Sequence, residues 1–136
     1  MPSNTTKARG LTSEESRIPI IRMEDKLLVS IQGSLHDRQA IGLQDDILQA
    51  IRRWKSTGLI LDISAVPIMD SYIARILNNI AREARVMGTR SVIVGMRPAI
   101  AIALVTMGLE FDNLETALNL ETALELLGAA NGSDTQ

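Results

Sequence analysis

Two hydrophobic rhythms alternate along most of the chain. Short runs dense in Ile, Leu and Val fall at 18–23, 27–31, 59–63 and 91–94. Between them, apolar residues recur every three or four positions, the spacing of a helix with one face on a core. The first two runs flank Glu24-Asp25-Lys26, which predicts a hairpin with a polar turn, and Gly33 closes its second strand. Ala40, Leu43, Ile47, Ala50, Ile51 and Trp54 then define a helix, with Gly58 as its stop. Ile73, Ile76, Leu77, Ile80, Ala81, Ala84 and Met87 define a second helix that ends at Gly88. Pro98 suits the first position of a third, which reaches Gly108. A short strand at 114–116 precedes a closing helix capped by Asn119 and carrying Leu120, Ala123, Leu124 and Leu127. Strand–helix alternation after an opening hairpin predicts an α/β fold: a mixed, mostly parallel sheet of about five strands with about four helices packed against it.

The pattern also sets the boundaries. Residues 1–17 are rich in Ser, Thr and charge, with Leu11 the one large apolar residue after Met1, so they read as a flexible N-terminal tail. The folded domain spans 18–128, and 129–136 read as a polar C-terminal tail. One helix breaks the rhythm. Ile100, Ala103, Leu104 and Met107 form its apolar stripe, yet Ala99, Ile102 and Val105 make the opposite side apolar too. A helix apolar all round is either fully buried or faces a partner. Ala99, Ile102 and Val105 are therefore candidates for an assembly surface.

Composition narrows the chemistry. The 136 residues are 46% hydrophobic but only 2% aromatic, so the core is aliphatic and base-stacking platforms for nucleic acid are missing. The net charge of −2 comes without a basic cluster to hold a polyanion. There is no cysteine, hence no disulfide or thiolate chemistry, and no apolar run approaches the roughly 20 residues of a membrane span. These features predict a cytoplasmic protein that binds neither nucleic acid nor membrane. The single histidine, His36, reads as an exposed loop residue rather than a catalytic base. Asp45 and Asp46 are helix neighbours that diverge by about 100° and do not make a metal site. Gly95 is too isolated for a phosphate loop. No metal, cofactor or catalytic residue is expected.

Two side chains in the central stretch remain. Asp62, at the end of a buried strand, is placed like the phosphoacceptor of a receiver domain, with Glu24 and Asp25 as the acidic partners for magnesium. The opening hairpin and the lack of any lysine after Lys55 argue against that alternative. Ser71 follows Asp70 at a helix start, beyond a Pro67 that bars helix across the connection. Its plain structural role is an N-cap, worth about 1 kcal/mol. Its functional role is that of a hydroxyl open to a kinase, where a phosphate adds about −1.5 to −2 charges beside Asp70. Asp70, Tyr72 and Arg75 are then the neighbourhood in which the kinase docks.

The stretch from Asp62-Ile63-Ser64 to Met69-Asp70-Ser71 resembles the signature of STAS domains, the fold of anti-sigma-factor antagonists, in which a serine after an aspartate is phosphorylated. The general motif continues Ser-Gly-Leu, whereas this chain has Ser71-Tyr72-Ile73-Ala74-Arg75-Ile76-Leu77. That variant, with Met87-Gly88 and Gly95-Met96-Arg97-Pro98-Ala99-Ile100-Ala101, is similar to the stressosome branch and its single-domain scaffolds of the RsbS type. Ile18-Pro19-Ile20, the strand at 27–32 and Glu115-Thr116-Ala117-Leu118 fit the same branch, so the resemblance covers 18–127. It implies a non-enzymatic scaffold that co-assembles with RsbR-type sensor proteins, holds an RsbT-type serine/threonine kinase, releases it when Ser71 is phosphorylated, and is reset by an RsbX-type phosphatase. The sensor relatives carry a second phosphorylatable threonine after the Gly-x-Arg-Pro turn. Here 101–105 hold no hydroxyl, and Thr106 is the nearest. The same fold also serves as a monomeric anti-anti-sigma factor that binds an anti-sigma kinase, and this alternative stays open on sequence.

Overall fold

Leu27, Val29 and Ile31 are buried and alternate with less buried neighbours along one strand, whereas Leu59, Ile60, Leu61 and Ile63 are all inaccessible to solvent along another. The first is a strand half-covered on one face, and the second is covered on both. A computed structural model of the chain describes residues 18–108 and 113–135, with side chains of the last helix described to residue 128. The expected N-terminal tail, 1–17, lies outside the described residues.

The elements run β1 (Ile20–Met23), β2 (Lys26–Gln32), α1 (Asp37–Trp54), β3 (Gly58–Ala65), α2 (Ser71–Val86), β4 (Arg90–Val94), α3 (Pro98–Thr106), β5 (Leu114–Ala117) and α4 (Leu120–Thr135). The five strands form one sheet in the order β1-β2-β3-β4-β5. β1 pairs antiparallel with β2, and every later pair is parallel. The opening hairpin is as expected, with Glu24 in the left-handed region (φ 56°) at its tight turn. Each parallel pair needs a crossover, and α1, α2 and α3 supply them. Their buried residues join Leu27, Leu59, Leu61 and Ile93 in the main core. α4 returns over the other face, where Ala123 and Leu127 pack on Ile60, Val92 and Val94.

Two helix ends differ from the sequence expectation. α1 stops at Trp54, and Lys55 takes the left-handed position (φ 50°) that was assigned to glycine. Gly58 is instead the buried first residue of β3. A Cβ there would lie 2.8 Å from Leu127 Cδ1, so a larger residue would have to displace the Leu127 side chain of α4. The backbone of α4 runs on to Thr135, over residues read as a C-terminal tail. Gly128 alone does not stop it, since a single helical glycine costs only about 1 kcal/mol and Ala129-Ala130 follow. Met87, expected on the α2 stripe, lies just past that helix and is exposed, while Gly88 ends the helix with φ 87° as anticipated.

Arg90 on β4 and Glu115 on β5 form a two-pronged ion pair, with Arg90 Nη2 donating to Glu115 Oε2 at 2.7 Å and Nη1 donating to the Leu126 carbonyl of α4 at 3.1 Å. This contact locks the edge strand to both its neighbours. The Arg90 guanidinium holds the Glu115 carboxyl below the ordinary glutamate range.

Candidate functional site

The residues that lead into α2 decide what Ser71 does. β3 leaves the sheet at Ala65, whose carbonyl accepts the Gly33 N–H at 3.2 Å, and Val66 turns back into the core. Pro67 and Ile68 lie on the surface, and Asp70 is extended (φ −88°, ψ 173°). Asp70 Oδ1 accepts the Ile73 N–H at 2.8 Å, while its carbonyl accepts the Ala74 N–H at 3.1 Å. Asp70 is therefore the N-cap, and Ser71 is the first residue inside the helix. This corrects the capping role considered for Ser71. Its side chain is half-buried, and no hydrogen bond to its hydroxyl exists among the described residues. Tyr72 and Arg75 are exposed on the first two turns of α2, one and four residues after Ser71.

Sequence reasoning missed one member of this surface. Ile68, three residues before Ser71, is 74% exposed. It lines, with Leu35, Val66, Met69, Asp70, Ile73 and Leu77 among others, a cavity of about 120 Å³. Nothing local in the apolar run Val66-Pro67-Ile68-Met69 marks which member is left in water.

The second candidate surface is α3. Pro98 opens this helix as expected, behind Arg97 as the N-cap residue. Arg97 Nη2 donates to the Ser64 carbonyl at 3.2 Å, and Gly95 (φ 77°) passes so close that a Cβ would lie 2.9 Å from Ser64 Cα. These contacts fix the start of α3 against the exit of β3, on the same side of the sheet as the Ser71 turn. Ile100 and Leu104 point into the core, while Ala99, Ile102 and Val105 are exposed, the last two at 67% and 76%. Leu118, which the sequence did not single out, is 88% exposed. It lines, with Met96, Pro98, Ala101 and Thr116, a groove of about 730 Å³ beside the α3 start.

The receiver-like constellation does not form. Asp62 Oδ1 accepts both the N–H and the hydroxyl of Ser64, at 2.9 and 2.7 Å, near the C-terminal end of β3. Asp25 lies at the opposite end of the sheet, where its carboxylate accepts from Lys26 Nζ and Thr57 Oγ1, both at 2.8 Å. The parallel register aligns Lys26 with Gly58 and Ser30 with Asp62. Four residues of strand, about 13 Å, thus separate the two carboxylates. His36 is exposed just ahead of α1, with its backbone N–H donating to Gln39 Oε1 at 3.0 Å. Asp45 is exposed and holds Gln49 one turn on, at 3.0 Å, as a solvated face does. No cluster of three His, Asp or Glu side chains suited to a metal exists among the described residues. Nor, among them, is any helix long and apolar enough to cross a membrane.

A mixed five-stranded sheet with a serine just inside the helix that follows its central strand is the framework of one known family. Residues 17–123 match the STAS domain, and the chain belongs to that family. Within it, the chain is similar to two solved structures. One is a serine-to-glutamate variant of RsbS from Moorella thermoacetica, 35% identical, with a TM-score of 0.75 over 84% of this chain and 97% of that one. The other is a chain from the structure described as the molecular architecture of the stressosome, 37% identical, with a TM-score of 0.74 over 83% of this chain and 98% of that one. The RsbT co-antagonist protein RsbRD of Bacillus subtilis is 31% identical over 111 residues, which are 81% of this chain and 40% of that protein. The chain thus spans less than half the length of that relative. The unphosphorylated anti-sigma factor antagonist SpoIIAA is 17% identical with a TM-score of 0.68, a likeness of fold.

The cap geometry separates two neighbouring side chains. Asp70→Ala should lower unfolding free energy by about 1 kcal/mol, whereas Ser71→Ala should stay within about 0.5 kcal/mol of the parent. Urea melts of the two variants measure this. Equal losses would contradict the assignment of Asp70 as the cap.

Proposed function

We propose that this chain is a stressosome scaffold that holds a serine/threonine kinase of the RsbT type and lets it go when Ser71 is phosphorylated. The observation that carries the reading is the division of labour at α2. Asp70 caps the helix, so the Ser71 hydroxyl has no structural duty and can be modified without unfolding anything. In the transfer, the γ-phosphoryl of a nucleoside triphosphate passes to Ser71 Oγ, the bond to the diphosphate leaving group breaks, and the hydroxyl proton goes to the kinase base. The new dianion sits where backbone N–H groups and the helix dipole tolerate it. A protein docked over Asp70, Tyr72 and Ile68 faces that charge at close range. A loss of about 1.4 kcal/mol in docking is tenfold in affinity. The scaffold itself performs no chemistry, and an RsbX-type phosphatase restores the hydroxyl.

The assembly half of the proposal rests on α3. Its Ile102 and Val105 stand in water, one turn apart, while the opposite side of the same helix is anchored by Ile100 and Leu104. Apolar side chains grouped this way mark a contact with another protein. The similarity to RsbS and to a stressosome chain favours RsbR-type STAS proteins and further copies of this chain as the occupants. The likeness to SpoIIAA is confined to the fold, and the monomeric anti-anti-sigma reading gains nothing beyond that.

Incubation with the RsbT-type kinase and ATP should place one phosphate on Ser71, located by peptide mass spectrometry, and none on Ser71→Ala. Undiminished labelling of the alanine variant would refute the site. Ile102→Asp and Val105→Asp should abolish large particles formed with an RsbR-type partner, as seen by light scattering, while melting as the parent does. Assembly that survives both changes would remove α3 from the interface.

A further inference from the structure

We infer that Arg75 is the intramolecular partner of the phosphate on Ser71, so that phosphorylation both adds an anion and withdraws a cation from the same surface. This rests on Ser71 as the modified residue and names what holds its phosphate. Arg75 lies four residues after Ser71 on α2, and residues at this spacing share a face with Cβ atoms about 5–6 Å apart. Helical Cα–Cβ bonds lean toward the N-terminus, which gives a long side chain at position 75 reach back toward the first turn. Arg75 is exposed and makes no ion pair or hydrogen bond among the described residues. A free guanidinium and a phosphate with no other assigned partner meet at the favourable spacing, with the anion N-terminal to the cation.

The neighbouring charges leave Arg75 as the fitting cation. Asp70 is spent on the Ile73 N–H and, adjacent to the phosphate, only repels it. Tyr72 presents no charge. His36, Asp37 and Arg38 open α1 at the same end of the helical layer, where Arg38 is also exposed, and the exposed Arg97 at the start of α3 is already engaged with the Ser64 carbonyl through Nε and Nη2. In the unmodified chain the free Arg75 is offered to a docked protein. In the phosphorylated chain it is engaged at home. The surface seen by the partner thus changes by more than the phosphate charge alone.

The test uses the full chain with phosphoserine installed at position 71 during translation, which makes it independent of any kinase. Phosphorus NMR titration reads the second ionisation of the phosphate in the parent, Arg75→Gln, Arg75→Lys and Arg38→Gln backgrounds. An engaged guanidinium favours the dianion, so the parent should titrate about 0.3 pH unit below Arg75→Gln. Arg75→Lys should fall between the two, Arg38→Gln should match the parent, and the difference should shrink in 1 M salt, where the Debye length is about 3 Å. Identical titration of the parent and Arg75→Gln would overturn the inference. A shift produced by Arg38→Gln instead would overturn it as well and assign the phosphate to α1. Failure of the kinase to label Ser71 would count against the functional proposal and leave this titration standing.

Discussion

β3 is the strand on which every other part of the molecule depends. Leu59, Leu61 and Ile63 enter the core beneath the three crossover helices, while Ile60 on the reverse face packs under α4. Burial on both faces is what permits parallel neighbours on either side, because each crossover helix needs an apolar surface to cover. Once β3 is held between β2 and β4, its exit is held too. The Ala65 carbonyl takes the Gly33 N–H, and the Ser64 carbonyl takes Arg97. The chain therefore leaves the sheet in one direction, and the Asp70 cap starts α2 at a defined place on the surface.

In the proposed function, rigidity and modification are carried by different side chains. A serine acting as the cap would trade helix stability against phosphorylation. Here the carboxylate of Asp70 does the structural work, and the hydroxyl beside it carries no such load. The same division appears in α3, where Ile100 and Leu104 secure the helix and leave Ile102 and Val105 exposed, the surface proposed for contact with other chains. Two surfaces on one small domain, both fixed against the end of β3, are what the proposed scaffold role requires.

Much of this was legible in the sequence. The strand runs, the helical stripes and the Pro98 start all rest on local pattern, and local pattern is what a sequence displays. The order of elements restricted the sheet to a mixed, mostly parallel one. What was misread depended on contacts distant along the chain or on the exact course of the backbone. Gly58 looked like a helix stop because nothing nearby shows that Leu127 will pack against it. Ser71 looked like a cap because Asp70 and Ser71 are both good capping residues, and only the backbone turn decides between them. The exposure of Ile68 is likewise a result of tertiary packing, since it stands in apolar surroundings in sequence. The tie between Arg97 and Ser64 spans 33 residues and leaves no periodic trace.

The claim that Ser71 governs a docking surface is tested most directly by titration calorimetry of the RsbT-type kinase against this chain in two forms, one unmodified and one carrying phosphoserine at position 71. The account predicts binding to the unmodified chain and at least about a tenfold weaker dissociation constant for the phosphorylated one, equivalent to about 1.4 kcal/mol or more, with both forms equally folded. Equal affinity for the two forms would contradict it.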